Sequence, residues 1–101
     1  MISYKFHDLE VEVSGHANFK KIGKDIVCAS VSTIIVVCAN LLLKLDDEKN
    51  YNYKIDDGYF KLKIVNRNKI NYEILLNIYN HLKEVEKDYP KFIREVKKWL
   101  S

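Results

Sequence analysis

Residues 25–45 read DIVCASVSTIIVVCANLLLKL, and the fold turns on whether this run is a strand, a membrane span or a helix. Its β-branched aliphatics (Ile26, Val27, Val31, Ile34, Ile35, Val36, Val37) suit a buried strand. Length decides against one, because strands rarely exceed about ten residues. The uncharged part, 26–43, sits at the lower limit for crossing a bilayer and is interrupted by Ser30, Ser32, Thr33 and Asn40. The expectation is a wholly buried core helix over 26–45. Asp25 stands where an N-cap belongs, its carboxylate able to accept an N–H left free by the first turn. That makes Cys28 the third helical residue.

Working outward toward the N-terminus, Ile2, Tyr4 and Phe6 alternate with polar residues, as do Leu9, Val11 and Val13. This period of two predicts a pair of half-buried strands joined tightly at His7 and Asp8, with Gly15 ending the second. The interval 17–24 is polar and aperiodic and reads as a mobile loop.

Toward the C-terminus, 46–50 (DDEKN) is a solvated break. Tyr51, Tyr53 and Ile55 then lead through Asp56, Asp57 and Gly58 to Phe60, Leu62 and Ile64, the Asp-Gly pattern of a β-hairpin. Ile70, Ile74, Ile78, Leu82 and Val85 recur every three or four residues, predicting a second amphipathic helix that Pro90 stops. Phe92, Ile93, Val96 and Leu100 suggest a short terminal helix. The reading is thus a single α+β domain over 1–101 in the order β-β-α-β-β-α. Its two layers are a four-stranded antiparallel or mixed sheet and two long helices on one face. Because the first helix is apolar nearly all round, its surplus face predicts a homodimer.

Composition narrows the function classes. With 48% hydrophobic, 12% aromatic and 31% charged residues, the chain has enough apolar surface to fold. A net charge of +3, with basic residues interleaved with acids from Lys5 to Lys98, lacks the concentrated stripe of a nucleic-acid binder. No secretory signal pattern precedes the first strand, and two cysteines ten positions apart point to the reducing cytoplasm rather than to a disulfide framework. No membrane partner and no direct nucleic-acid role are expected. His7 and His81 lack neighbours at metal-site spacing, so no metal or organic cofactor is expected either.

Cys28 is the most informative position. At the start of a helix the dipole and free N–H groups favour a thiolate, and the same N–H groups can polarise a carbonyl. His16 lies twelve positions earlier, at the end of the second strand, so strand end and helix start can meet across the loop. A thiol and an imidazole within reach form a minimal nucleophile and base. On spacing alone, core packing of Cys28 and a plain surface role for His16 stay open. Cys38, off the face of Cys28, reads as core.

Gly15-His16-Ala17, an interval closing at Lys24, and then DIVCASVS at 25–32 together resemble the signature of the ribosomal-processing cysteine protease family, Prp. The similarity runs over essentially the whole chain, including the element order, the Asp-Gly hairpin and Tyr89-Pro90. Ser30 stands where a second alanine is expected, a small-for-small change. The resemblance implies a catalytic pair of His16 and Cys28, with Gly15, Gly23, Asp25 and Ser32 as supporting residues. Asp25 orients His16 or only caps the helix; Ser32, one turn beyond Cys28, bonds within the site or back to its own helix. The resemblance also implies a substrate, the short N-terminal extension of large-subunit ribosomal protein twenty-seven, removed during ribosome maturation. Attack by sulfur, protonation of the leaving amine by His16 and hydrolysis of the thioester would need no cofactor. If the interval 17–24 closes on substrate, with Gly23 near its hinge, it sets the separation of the pair. The rival reading is a noncatalytic ribosome- or RNA-associated module in which Cys28 merely packs.

Overall fold

The computed structural model describes residues 1–15 and 24–97 of the chain, Lys24 and Asp25 by backbone alone. Two hairpins and a terminal strand form one sheet. Strands β1 (Ile2–His7) and β2 (Glu10–Ser14) pair antiparallel, as do β3 (Tyr51–Asp56) and β4 (Tyr59–Ile64). β2 pairs with β4, and β5 (Ile93–Glu95) adds parallel to β1, giving the order β3-β4-β2-β1-β5. Helices α1 (Lys24–Leu45) and α2 (Lys69–Asp88) pack together on one face. The strand residues facing them, among them Tyr4, Val11, Val13, Phe60, Leu62, Ile64 and Ile93, are buried. The alternate residues (Lys5, Glu10, Glu12, Lys61, Lys63, Arg94) form the polar outer face, so both predicted hairpins and the two-layer α+β arrangement hold.

The sheet has five strands rather than four. The expected terminal helix is strand β5: Ile93 is fully buried, the Ile2 N–H donates to the Phe92 carbonyl at 2.9 Å, and the Val96 N–H donates to the Tyr4 carbonyl at 2.8 Å. The first turn falls at Asp8 and Leu9, one residue later than the reading, with Asp8 at φ +53°. Asp is among the few side chains that tolerate this left-handed conformation. The second turn is at Asp57 and Gly58, where Gly58 has φ +69°.

Helix α1 is not wholly buried. Val27, Val31, Ile35, Cys38 and Leu42 form its buried stripe, while Ile26, Val36, Val37, Leu41, Leu43 and Leu45 remain exposed. It is long and apolar enough to cross a membrane by length and composition, but its stripe belongs to the common core.

Segment 46–50 is more than a solvated break. The Asp46 carboxylate accepts hydrogen bonds from the side-chain amides of Asn50, Asn68 and Asn71, each at 2.9 Å. Asn68 and Asn71 also cap α2 reciprocally, and Asn71 is fully buried where the reading placed Ile70 on the inner face. Burial pushes the Asp46 carboxyl up, but its hydrogen bonds from Asn50, Asn71, Asn68 and the Asp47 backbone outweigh this and hold it below the usual carboxylate range. The end of α1 and the start of α2 are thereby tied at one carboxylate.

Candidate active site

A cleft of about 410 Å³ opens between the first half of α1 and the β3–β4 turn. Cys28, Ser32 and Gly15 all line it, together with Val31, Ile35, Ile55 and Phe60. Helical geometry brings the two α1 side chains there. At about 100° per residue, Cys28 and Ser32 lie to one side of the buried Val27, Val31 and Ile35 stripe. Cys28 is therefore half-buried on the cleft lining, whereas Cys38 is buried, as expected of a core residue. Burial pushes the Cys38 thiol up, partly offset by the Asn77 amide that donates to its sulfur at 3.8 Å.

Gly15 ends β2 in a conformation that only glycine adopts easily. Its φ is +104°, and a Cβ there would lie 2.3 Å from the Met1 carbonyl oxygen. Its N–H donates to the Gly58 carbonyl at 2.9 Å, which fastens the β3–β4 turn to the end of β2. Two glycines 43 positions apart thus shape one wall of the cleft.

That wall is acidic, with Asp56 and Asp57 on the lining beside Tyr59. The Asp57 N–H donates to the Asp56 carboxylate at 2.8 Å, and the Tyr59 hydroxyl donates to Glu12. Burial, reinforced by that carboxylate, pushes the Tyr59 phenol up to about 12. The sequence reading assigned no chemistry to this hairpin. Its turn pattern was legible, but nothing local showed that the turn faces Cys28.

The backbone of Asp25 lies within helix α1 (Lys24–Leu45), not at the N-cap position expected for it. Acidic residues are favoured throughout a first helical turn, so residue type alone did not separate cap from interior. Cys28 accordingly lies at least five residues into the helix rather than three. Helical pairing directs its N–H to the Lys24 carbonyl, and the free amides of the helix start precede it. His16, Gly23 and the expected loop over 17–23 lie outside the described residues. Ser30, the departure from the expected alanine, faces α2, where its hydroxyl lies 2.9 Å from His81 Nε2. Among the described residues, no group of His, Cys, Asp and Glu is placed to hold a metal ion.

Chemically, the cleft brings a cysteine together with apolar side chains and two aspartates. Residues 1–94 match the family model of the cysteine protease Prp. A ribosomal processing cysteine protease Prp of Staphylococcus aureus is 30% identical over 87 residues, covering 84% of this chain and 82% of that protein. The crystal structure of the S. aureus ribosomal processing protease Prp with a covalently linked product peptide is similar at a TM-score of 0.78 and 28% identity, over 96% of this chain and 97% of that one. The same protease with a substrate peptide gives 0.75 and 27%, over 97% of this chain and all of the other.

Proposed function

Since the chain belongs to the cysteine protease Prp family, we propose that it removes the N-terminal extension of large-subunit ribosomal protein twenty-seven, with Cys28 as nucleophile and His16 as general base. The observation that supports this reading is that Cys28 lines one cleft with Gly15 and Ser32, three residues of the family motif that lie up to seventeen positions apart in the chain. The Cys28 sulfur attacks the scissile carbonyl; His16 then protonates the departing amine, and water hydrolyses the resulting thioester. Ser32, one turn beyond Cys28 on the same wall, supports the site, and the family motif adds Asp25 and Gly23 as further supporting residues.

The acidic wall at Asp56 and Asp57 complements a basic ribosomal peptide, and the apolar floor takes its uncharged side chains. The chain works in the cytoplasm, where Cys28 and Cys38, both free, stay reduced. A second copy covers the exposed flank of α1 formed by Ile26, Val37 and Leu41, on the side away from the cleft. Sedimentation should then show a dimer, which Val37→Lys dissociates.

The direct test is incubation of the purified chain with the precursor of that ribosomal protein and measurement of product mass. Cys28→Ala and His16→Ala should each abolish cleavage, and Cys38→Ala should retain it. An intact precursor with the unaltered enzyme would refute the reading and favour a noncatalytic binding module.

A further inference from the structure

The helical layer stops short of one edge of the sheet. β3 is an edge strand, and its Tyr51, Tyr53 and Ile55 stand opposite Ile64, Leu62 and Phe60 on the helix-facing side. Directly opposed residues share a face, yet their burial differs. Leu62 and Phe60 are 2% and 3% exposed, while Tyr53 and Ile55 are 44% and 50% exposed. The facing flank of α1 is open as well. Val36 and Leu43, which share a side of the helix with Cys28 and Ser32, are 52% and 49% exposed. A floor from β3 and a wall from α1 leave an unfilled apolar slot between them.

The free backbone of β3 lies along the same slot. The Val65 N–H donates to the Asn50 carbonyl at 2.8 Å, which makes 50 and 65 a hydrogen-bonded pair. Antiparallel alternation then assigns Asn52, Lys54 and Asp56 to bonds with β4, in the observed register. The N–H and C=O groups of Tyr51, Tyr53 and Ile55 therefore point outward from the sheet. The two sides match in length: Cys28 to Leu43 spans about 22 Å of helix, and a six-residue strand about 20 Å. The slot is also continuous with the cleft, since Ile55 and Val36 line both.

We propose that the substrate segment binds as a sixth strand on the edge of β3, with alternate side chains under Val36 and Leu43 and its scissile bond delivered to Cys28 at the slot's end. This rests on the protease reading above and specifies how that site holds its substrate. Backbone pairing to Tyr53 and Ile55 supplies register, and the alternating apolar contacts supply selectivity. The occupant is thus an extended peptide with an apolar side chain at every second position. Fixing its backbone at two or more points also places the scissile carbonyl before the sulfur.

The test uses a synthetic peptide spanning the processing junction of the ribosomal protein. With the inert Cys28→Ala chain at saturating peptide, amide exchange should slow at least tenfold at Tyr53 and Ile55, and less at Asn52 and Lys54. With the unaltered enzyme, peptides N-methylated at successive positions should alternate, every second one losing roughly three- to tenfold in kcat/KM. Tyr53→Pro deletes an outward N–H but no bond to β4, and should raise KM by a similar factor with little change in kcat. Tyr53→Leu, which keeps the N–H and an apolar side chain, should raise KM less than Tyr53→Pro does. If the proline variant unfolds, the N-methyl series decides alone. Normal cleavage without alternation, or with protection elsewhere, overturns the proposal and leaves the protease reading standing. Protection at Tyr53 and Ile55 that grows with protein concentration and no peptide means that a second copy fills the slot, and also overturns it. Absence of cleavage of the unmodified peptide defeats the protease reading, and the proposal with it.

Discussion

Replacing Gly15 by alanine separates the site's geometry from its chemistry, because the substitution touches neither Cys28 nor His16. At φ +104° an L-residue is strained by about 1–3 kcal/mol. The added Cβ would also stand 2.3 Å from the Met1 carbonyl oxygen and 3.4 Å from its carbon. Relief by moving that peptide is opposed by the buried Ile2, whose N–H is tied to the Phe92 carbonyl of the β5 edge. Adding about 1–3 kcal/mol for overpacking gives a total of about 2–6 kcal/mol, a large part of the stability of a domain this size. With an m-value of about 2 kcal/mol/M, the urea midpoint should fall by roughly 1–3 M at unchanged slope. The bond from the Gly15 N–H to Gly58 should loosen as well, shifting the cleft wall. In conditions where the variant is fully folded, kcat should then drop at least tenfold, more than KM rises. A D-alanine at position 15, for which positive φ is natural, should recover most of the stability. If Gly15→Ala unfolds within about 0.5 kcal/mol of the unaltered chain and cleaves peptide normally, the assigned role of this glycine is wrong.

Cys28 should alkylate faster than Cys38 at neutral pH, since the first lines an open cleft while the second is buried with its thiol pushed up; mass spectrometry of partly labelled protein reads the order. Asn71→Ala removes a buried side-chain amide that donates to Asp46 and the Asn66 carbonyl and accepts from the Asn68 N–H at the α2 cap, and should cost about 2–3 kcal/mol, seen as a fall in Tm of roughly 10–20 °C. Asp46 and Glu95 both sit below the usual carboxylate range, burial raising each and hydrogen bonds lowering it further, those to Glu95 coming from Lys83 and Tyr79. Their contribution is present above the ordinary carboxylate pKa near 4 and is lost as pH falls through the depressed folded values, so Asp46→Asn should flatten the acid limb of a stability-against-pH curve. At the other extreme Tyr4, Tyr51, Tyr59 and Tyr79 are all pushed up, by burial first and neighbouring carboxylates next. The stability they confer is complete below the ordinary phenol value and lost as pH rises through their raised ones, so a tyrosinate absorbance titration should show late ionisation coincident with unfolding. Asp56→Asn should raise KM for a lysine-containing peptide about threefold at low salt and far less at high salt, which a salt series of initial rates reads.

Much of this was legible in the chain itself. Alternation at Ile2 to Val13, the Asp57-Gly58 turn and the length of the 26–45 run required no partner to be read, because each reports the period of a local conformation. The motif around Gly15, His16 and Cys28 likewise pointed to the family whose model the chain matches. Other features depend on what lies opposite, and there the reading failed. Three-residue β5 is too short for a period, and it is a strand only because the edge of β1, some ninety positions away, offers it hydrogen bonds. Asn71 is buried because Asp46, at the end of the other helix, satisfies its amide. A periodic pattern shows which side of an element is apolar and is silent about how much of that side another element covers. Only the assembled layers decide that α1 is half open, that β3 keeps a free edge, and that the turn at Gly58 meets the end of β2 across from Cys28.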